Sequence, residues 1–71
     1  MKWYKVTEQS LIYVNIIEQT ANGKYTCHAI DTYYPRKWAY HKSTWNLNKK
    51  LEVTDPKEIN RLDQFLTMKL I

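Results

Sequence analysis

The chain has 71 residues, 44% of them hydrophobic and only one a glycine, a composition typical of one small folded domain rather than a disordered segment. Its formal net charge of +4 favours an anionic partner such as nucleic acid, a membrane surface or an acidic protein face. The single cysteine, Cys27, excludes a disulfide scaffold, and no apolar run is long enough to span a membrane. We therefore expect a soluble cytoplasmic protein and, because the chain begins at Met1, a complete one.

The first half of the chain predicts three strands. Residues 2–7 form the first, and the β-branched and aromatic run LIYVNII places the second over residues 11–19. Asn22 and Gly23 both tolerate the positive φ of a tight hairpin turn, so residues 24–31 are expected to return as the third strand.

The middle of the chain predicts a second turn and a fourth strand. Pro35 presets φ for the second position of a turn, and residues 37–45 follow as the strand. Residues 51–54, LEVT, are a candidate short fifth strand, and the NKK segment at 48–50 before them is expected to be a solvated loop.

The C-terminal segment predicts a helix over residues 56–70. Asp55 suits the N-cap, Pro56 the first helical position, and Glu58 the acidic position of a capping box. An apolar stripe, with Phe65 at its edge, must then pack on the sheet. The stripe consists of Ile59, Leu62, Leu66 and Leu70.

Strands joined by short connections and followed by one helix predict an α+β fold. We expect an antiparallel meander of four or five strands, either open or curled toward a small barrel, with the C-terminal helix packed on one face. Residues 1–71 would form a single domain.

The sheet face under the helix depends on whether each loop has an even or odd number of residues, because a one-residue slip turns every side chain to the other face. With even loops, Trp38 and Tyr40 belong to the covered face, together with Val14, Ile16, Cys27 and Ala29. The opposite, exposed face then carries Tyr13, Asn15, Ile17, Thr26, His28, Ile30, Lys37, Ala39, His41 and Ser43.

The sequence contains no motif of a known enzyme class: no glycine-rich phosphate loop, no HExxH and no nucleophile elbow. Cys27 and His28 are neighbours on a strand and point to opposite faces, so they cannot form a nucleophile pair, and Cys27 is expected to be buried and inert. His28 and His41 alone do not supply the four ligands of a structural zinc site. We therefore expect a non-enzymatic protein with no metal and no cofactor.

The stretch YYPRKWAYHK, residues 33–42, combines aromatic rings with cations around one proline. Sheet proteins that bind nucleic acid use cations for phosphates and aromatic rings for bases, although an ordinary hairpin with buried aromatics and solvated charges fits the same residues. The predicted binding residues are Tyr13, Lys24, His28, Tyr33, Tyr34, Arg36, Lys37 and His41.

The same surface also fits a protein partner, since Tyr and Arg are favoured at binding hot spots and an open sheet offers edges for strand addition. The segments MKWYK, LIYVNI and NG, in the first third of the chain, resemble the start of small phage-encoded anti-CRISPR proteins. That resemblance implies an inhibitor or adaptor that blocks a nuclease complex or its nucleic-acid channel. Nucleic acid and a nucleic-acid-handling protein complex therefore both remain open as partners.

Overall fold

The computed structural model describes all residues from Met1 to Ile71. One open sheet contains four antiparallel strands in chain order: β1 (Tyr4–Lys5), β2 (Ile12–Ala21), β3 (Lys24–Asp31) and β4 (Ala39–Asn46). A 3₁₀ turn, Lys49–Leu51, precedes the helix α1 (Pro56–Leu70). The α+β meander with one C-terminal helix is thus confirmed.

The sheet has four strands and no fifth, because Glu52 forms only an isolated bridge with Tyr4. Strand β1 is also shorter than predicted. Trp3, the residue before β1, does not pair with β2. Its carbonyl instead accepts a hydrogen bond from the N–H of Val53 at 2.8 Å. The N-terminal segment and the segment before the helix therefore bond to each other beside the sheet and do not add a strand to it.

The first hairpin turns at Asn22 and Gly23, but only Gly23 has a positive φ, 76°. The loop is therefore not the type I′ turn that two positive φ values would define. Two register shifts in β2 adjust the pairing before the turn. The expected face is nevertheless kept in the cross-strand pairs Val14–Ala29 and Ile16–Cys27.

The second connection reverses the predicted face of β4. Asp31 pairs with Ala39, which leaves the seven residues 32–38 between the strands, an odd number. Tyr40 consequently lies opposite Ile30, and His41 lies opposite Ala29. The expectation that Tyr40 shares a face with Cys27 is wrong for this reason.

The helix packs on the sheet face that was predicted to be exposed. Leu62 and Leu66 of α1 are buried against Tyr13 and Ile30 of the sheet. The aromatic rings that the odd loop turns to this side need cover, because each buries on the order of 150–250 Å². The remaining members of this cluster are Trp3 and Val53, with Trp38, Tyr40, Ile59 and Phe65 partly buried around them.

The face predicted to lie under the helix is buried in another way. Val14, Cys27 and Ala29 are fully buried there, without any contribution from α1. Tyr4 and Tyr25 complete this second cluster. The partly buried residues packed around it are Val6, Ile12, Ile16, Trp45 and Leu47. The domain therefore has two small cores, one on each face of the same sheet.

Helix α1 spans the residues that the sequence indicates. The Asp55 carboxylate accepts a hydrogen bond from the backbone N–H of Lys57, the second residue of the helix, at 3.0 Å, as an N-cap does. Glu58 does not complete a capping box, because its carboxylate accepts a hydrogen bond from Tyr13 instead. Leu70 is 55% exposed and does not belong to the buried stripe. At 15 residues, α1 is neither long nor apolar enough to cross a membrane.

Candidate functional site

The predicted binding residues do not form one surface. Tyr33, Tyr34, Arg36 and Lys37 lie together in the connection between β3 and β4, residues 32–38, which we call the tyrosine loop. Lys24 lies at the far end of β3, roughly 23 Å away at about 3.3 Å per residue. The structure therefore separates Lys24 from the loop.

Tyr13 is buried, which contradicts its predicted place on an exposed face. Its hydroxyl donates a hydrogen bond to Oε1 of Glu58 at 3.0 Å. Burial, and then the Glu58 carboxylate, raise the pKa of Tyr13 to about 12. The helix packs on this side of the sheet, so Tyr13 joins sheet to helix and presents no free ring for stacking.

His28 lies on the helix side of the sheet, where it is half-buried. Its Nδ1 is 2.8 Å from the hydroxyl of Tyr40, and Lys42 is its cross-strand neighbour. Burial, and then the positive charge of Lys42, hold the pKa of His28 below its ordinary value. His28 is therefore neutral near pH 7 and adds no charge that would attract a phosphate.

His41 lies on the other face of the sheet, where its ring is exposed and 6.2 Å from the ring of Trp45. The prediction that His28 and His41 share a face is wrong, because His41 pairs with Ala29, the neighbour of His28. No three His, Cys, Asp or Glu side chains lie close enough together to hold a metal ion.

The tyrosine loop presents two aromatic rings to solvent on a well-anchored backbone. Tyr33 is 63% exposed and Tyr34 69% exposed, and their rings meet edge to face with 4.9 Å between centroids. Asp31 accepts a hydrogen bond from the N–H of Tyr33 at 2.9 Å. Thr32 donates its N–H and its hydroxyl to the carbonyl of Leu11, at 2.9 and 2.8 Å. The two rings are thus exposed, while hydrogen bonds hold the start of the loop to the sheet.

Pro35 occupies the second position of a turn within this loop, as predicted, since the N–H of Lys37 donates to the carbonyl of Tyr34 at 3.1 Å. The turn exposes Arg36 and Lys37. Neither Arg36 nor Lys37 forms an ion pair. The only ion pair in the structure joins the N-terminal ammonium to Asp63. None of the 11 lysine and arginine side chains contacts a carboxylate.

A half-open cavity of about 200 Å³ lies between the tyrosine loop and the first turns of α1. The guanidinium of Arg61 stands 5.1 Å from the centroid of the Trp38 ring on its wall. The Tyr13–Glu58 hydrogen bond forms another part of that wall. The lining residues are Tyr13, Thr32, Pro35, Trp38, Glu58, Arg61 and Leu62.

Two candidate binding residues in this cavity, Glu58 and Arg61, are not among the residues predicted from the sequence. Glu58 was assigned to helix capping, and Arg61 occupies an exposed helical position of the kind that usually carries solvated charge. Neither residue has a local sequence signal for binding. Their placement beside Trp38 follows only from the docking of α1 on the sheet face that carries Tyr13.

No protein-family model, curated protein or solved structure matches this chain. The similarity of its first third to anti-CRISPR proteins stays a prediction. What the protein binds is therefore inferred from the geometry and charge of the site.

Proposed function

We propose that the protein is a non-enzymatic module that binds single-stranded nucleic acid through the tyrosine loop. The observation that carries this proposal is the pair of exposed rings, Tyr33 and Tyr34, beside two cations that have no carboxylate partner, Arg36 and Lys37. Free cations are available to phosphates, and exposed rings are available to unstacked bases. We also propose that the protein acts in the cytoplasm, since its fold contains no disulfide that would need an oxidising compartment.

The two halves of the loop contribute differently to the expected affinity. Each cation that meets a phosphate releases counterions and adds about 0.7 to the log–log salt dependence on a single strand. Each ring that stacks on a base contributes about 1–3 kcal/mol, with little dependence on salt. Salt dependence and ring truncation therefore report separately on phosphate contacts and base contacts.

A protein partner is the second candidate, and a specific observation favours it. Leu11 is 46% exposed and lies beside Tyr33 along a shallow depression next to the tyrosine loop. Tyrosine is favoured at binding hot spots, and an exposed apolar side chain beside it is typical of a surface that contacts another protein. In this alternative the protein is an inhibitor or adaptor of the phage anti-CRISPR type that occupies a nucleic-acid-handling complex.

Titration of labelled short oligonucleotides at several salt concentrations tests the first candidate. Arg36→Ala and Lys37→Ala should each weaken binding and lower the salt slope by about 0.7. Tyr34→Ala should weaken binding by about 1–3 kcal/mol with an unchanged slope. Lys24→Ala is the matched control, because it removes the same charge at the far end of β3 and should leave the slope unchanged.

No detectable binding at low salt would overturn the nucleic-acid proposal. A protein partner would show a different pattern: one or two ring or arginine truncations would each cost more than about 2 kcal/mol, and the lysines would matter little. A pull-down from lysate with and without nuclease treatment distinguishes the two, since only a direct protein partner is retained after nuclease.

A further inference from the structure

We infer that the cavity behind the tyrosine loop receives one base of the bound strand and that it selects guanine. The inference rests on the proposed function, because it names the base contact of the same binding surface. Thr32, Pro35 and Trp38 of the tyrosine loop form one wall of the cavity, and the first turns of α1 form the other. A strand whose phosphates meet Arg36 and Lys37 therefore has a neighbouring base beside the opening.

The cavity contains a stacking surface for a planar ring. Phe65 supports Trp38 with 5.4 Å between ring centroids, and Trp38 in turn supports the guanidinium of Arg61 at 5.1 Å. The guanidinium is planar and Arg61 is exposed, so the side of the guanidinium away from the indole is open to a base. Arginine planes and aromatic rings are the surfaces on which unstacked bases are held.

Glu58 determines which base edge fits. Its Oε1 accepts a hydrogen bond from the Tyr13 hydroxyl, and no protein group donates to its other oxygen. An ionised carboxylate only accepts hydrogen bonds, and each of its oxygens has two lone pairs. The edge that faces Glu58 must therefore offer N–H donors.

Guanine alone among the common bases places two N–H donors side by side on its Watson–Crick edge, at N1 and N2. Adenine and cytosine each place an acceptor nitrogen beside their amino group, and thymine or uracil places carbonyl oxygens on both sides of its one N–H. Those acceptors would face the Glu58 carboxylate without a proton between them. Glu58 is half-buried, and a base that displaces water from its carboxylate without donating a hydrogen bond loses binding free energy, so the carboxylate selects guanine by rejecting the others.

Binding of oligothymidylates of one short length, at one salt concentration, tests this inference. The series carries thymine, guanine, hypoxanthine or no base at one internal position, so the phosphate charge is constant. The guanine strand should bind roughly five- to hundredfold more tightly than the all-thymine strand. Hypoxanthine, which lacks the N2 amino group, should lose most of this advantage, and the abasic strand should lose all of it.

Glu58→Gln should abolish the preference, because the variant replaces one acceptor oxygen with a donating amide. The readout is the ratio of guanine to thymine affinity, which a general change in charge does not move. Glu52→Gln is the control, an exposed carboxylate away from the cavity with the same change in charge, and it should keep the wild-type ratio. Arg61→Ala, at an exposed position, should reduce affinity for the guanine strand more than for the abasic strand.

The outcomes separate the inference from the function on which it rests. Equal and detectable binding of all four strands by the wild-type protein would overturn the guanine site and leave the loop as a backbone-binding surface. Tighter binding of the thymine or hypoxanthine strand than of the guanine strand would also overturn it. No binding of any strand at low salt would overturn the proposed function and this inference together. If Glu58→Gln did not fold, the strand series on the wild-type protein would still decide.

Discussion

At the scale of single residues, burial and one hydrogen bond determine the pKa of the Tyr13 phenol. Its pKa is raised to about 12, first by burial and then by the Glu58 carboxylate, from the ordinary tyrosine value of 10.0 that applies in the unfolded state. The folded state therefore holds this proton more tightly than the unfolded state does. The resulting stabilisation is fully present below pH 10 and is lost as the pH rises from about 10 to about 12.

We predict that an ultraviolet titration of the phenol groups will show an ionisation near pH 12 that belongs to Tyr13. Tyr13→Phe should remove that late step. It should also remove the part of the stability loss above pH 10 that comes from this residue, as followed by urea denaturation at each pH. Tyr34→Phe, at an exposed position, should leave the late step in place. A titration curve of the wild-type protein without an ionisation near pH 12 would contradict the prediction.

Cys27 is the second residue whose chemistry follows from its place. It is fully buried on the sheet face away from α1, and burial raises the pKa of its thiol. The thiolate is the reactive form, so we expect the native protein to react slowly with a thiol reagent and quickly in urea. A cysteine placed at the exposed position Thr44, in a Cys27→Ala background, should react quickly in both conditions. Fast labelling of native Cys27 would show that its cluster opens.

At the scale of elements, the helix is held by the middle of its apolar stripe and not by its end. Leu62 is buried against Tyr13, Ile30 and Trp3, whereas Leu70 is more than half exposed. Leu62→Ala should lower the free energy of unfolding by about 2–5 kcal/mol, because it leaves a cavity in the core. Leu70→Ala removes the same atoms at the surface and should change it by no more than about 0.5 kcal/mol. Urea denaturation measures both, and equal effects would show that the helix docks along its whole length.

At the scale of the whole molecule, one sheet separates two small cores. The helix-side cluster contains Ile30, and the opposite cluster contains its neighbour Ala29, so the same strand serves both. Loss of either cluster exposes residues of β3, and neither core is large enough to remain alone in a domain of this size. The two faces are therefore expected to unfold together.

We predict a single cooperative transition in urea. The far-ultraviolet circular dichroism of α1 and the protection of Cys27 from a thiol reagent report on opposite faces of the sheet, and their midpoints should coincide. Leu62→Ala, which acts on the helix side only, should shift both midpoints by the same amount. Exposure of Cys27 at a lower urea concentration than the loss of helix would contradict this coupling.

Features that depend on neighbouring residues could be predicted from the sequence. The helix and its N-cap follow from Asp55-Pro56, and the first hairpin follows from Gly23, the one residue with a positive φ. The shared face of Ile16 and Cys27 follows from the alternation of side chains along paired strands. These features require no knowledge of where the helix docks.

The tertiary structure decided which face the helix covers and which residues form the candidate site. The number of residues in the tyrosine loop is set by the pairing of Asp31 with Ala39 and by the bonds of Thr32 to Leu11, a residue far away in the chain. That odd number places Tyr40 on the same face as Tyr13 and Ile30, which is the face on which the helix packs. The packing of the helix on this face brings the Glu58 carboxylate beside the loop. A one-residue difference in a loop reverses every side chain that follows it, and no local propensity records that choice.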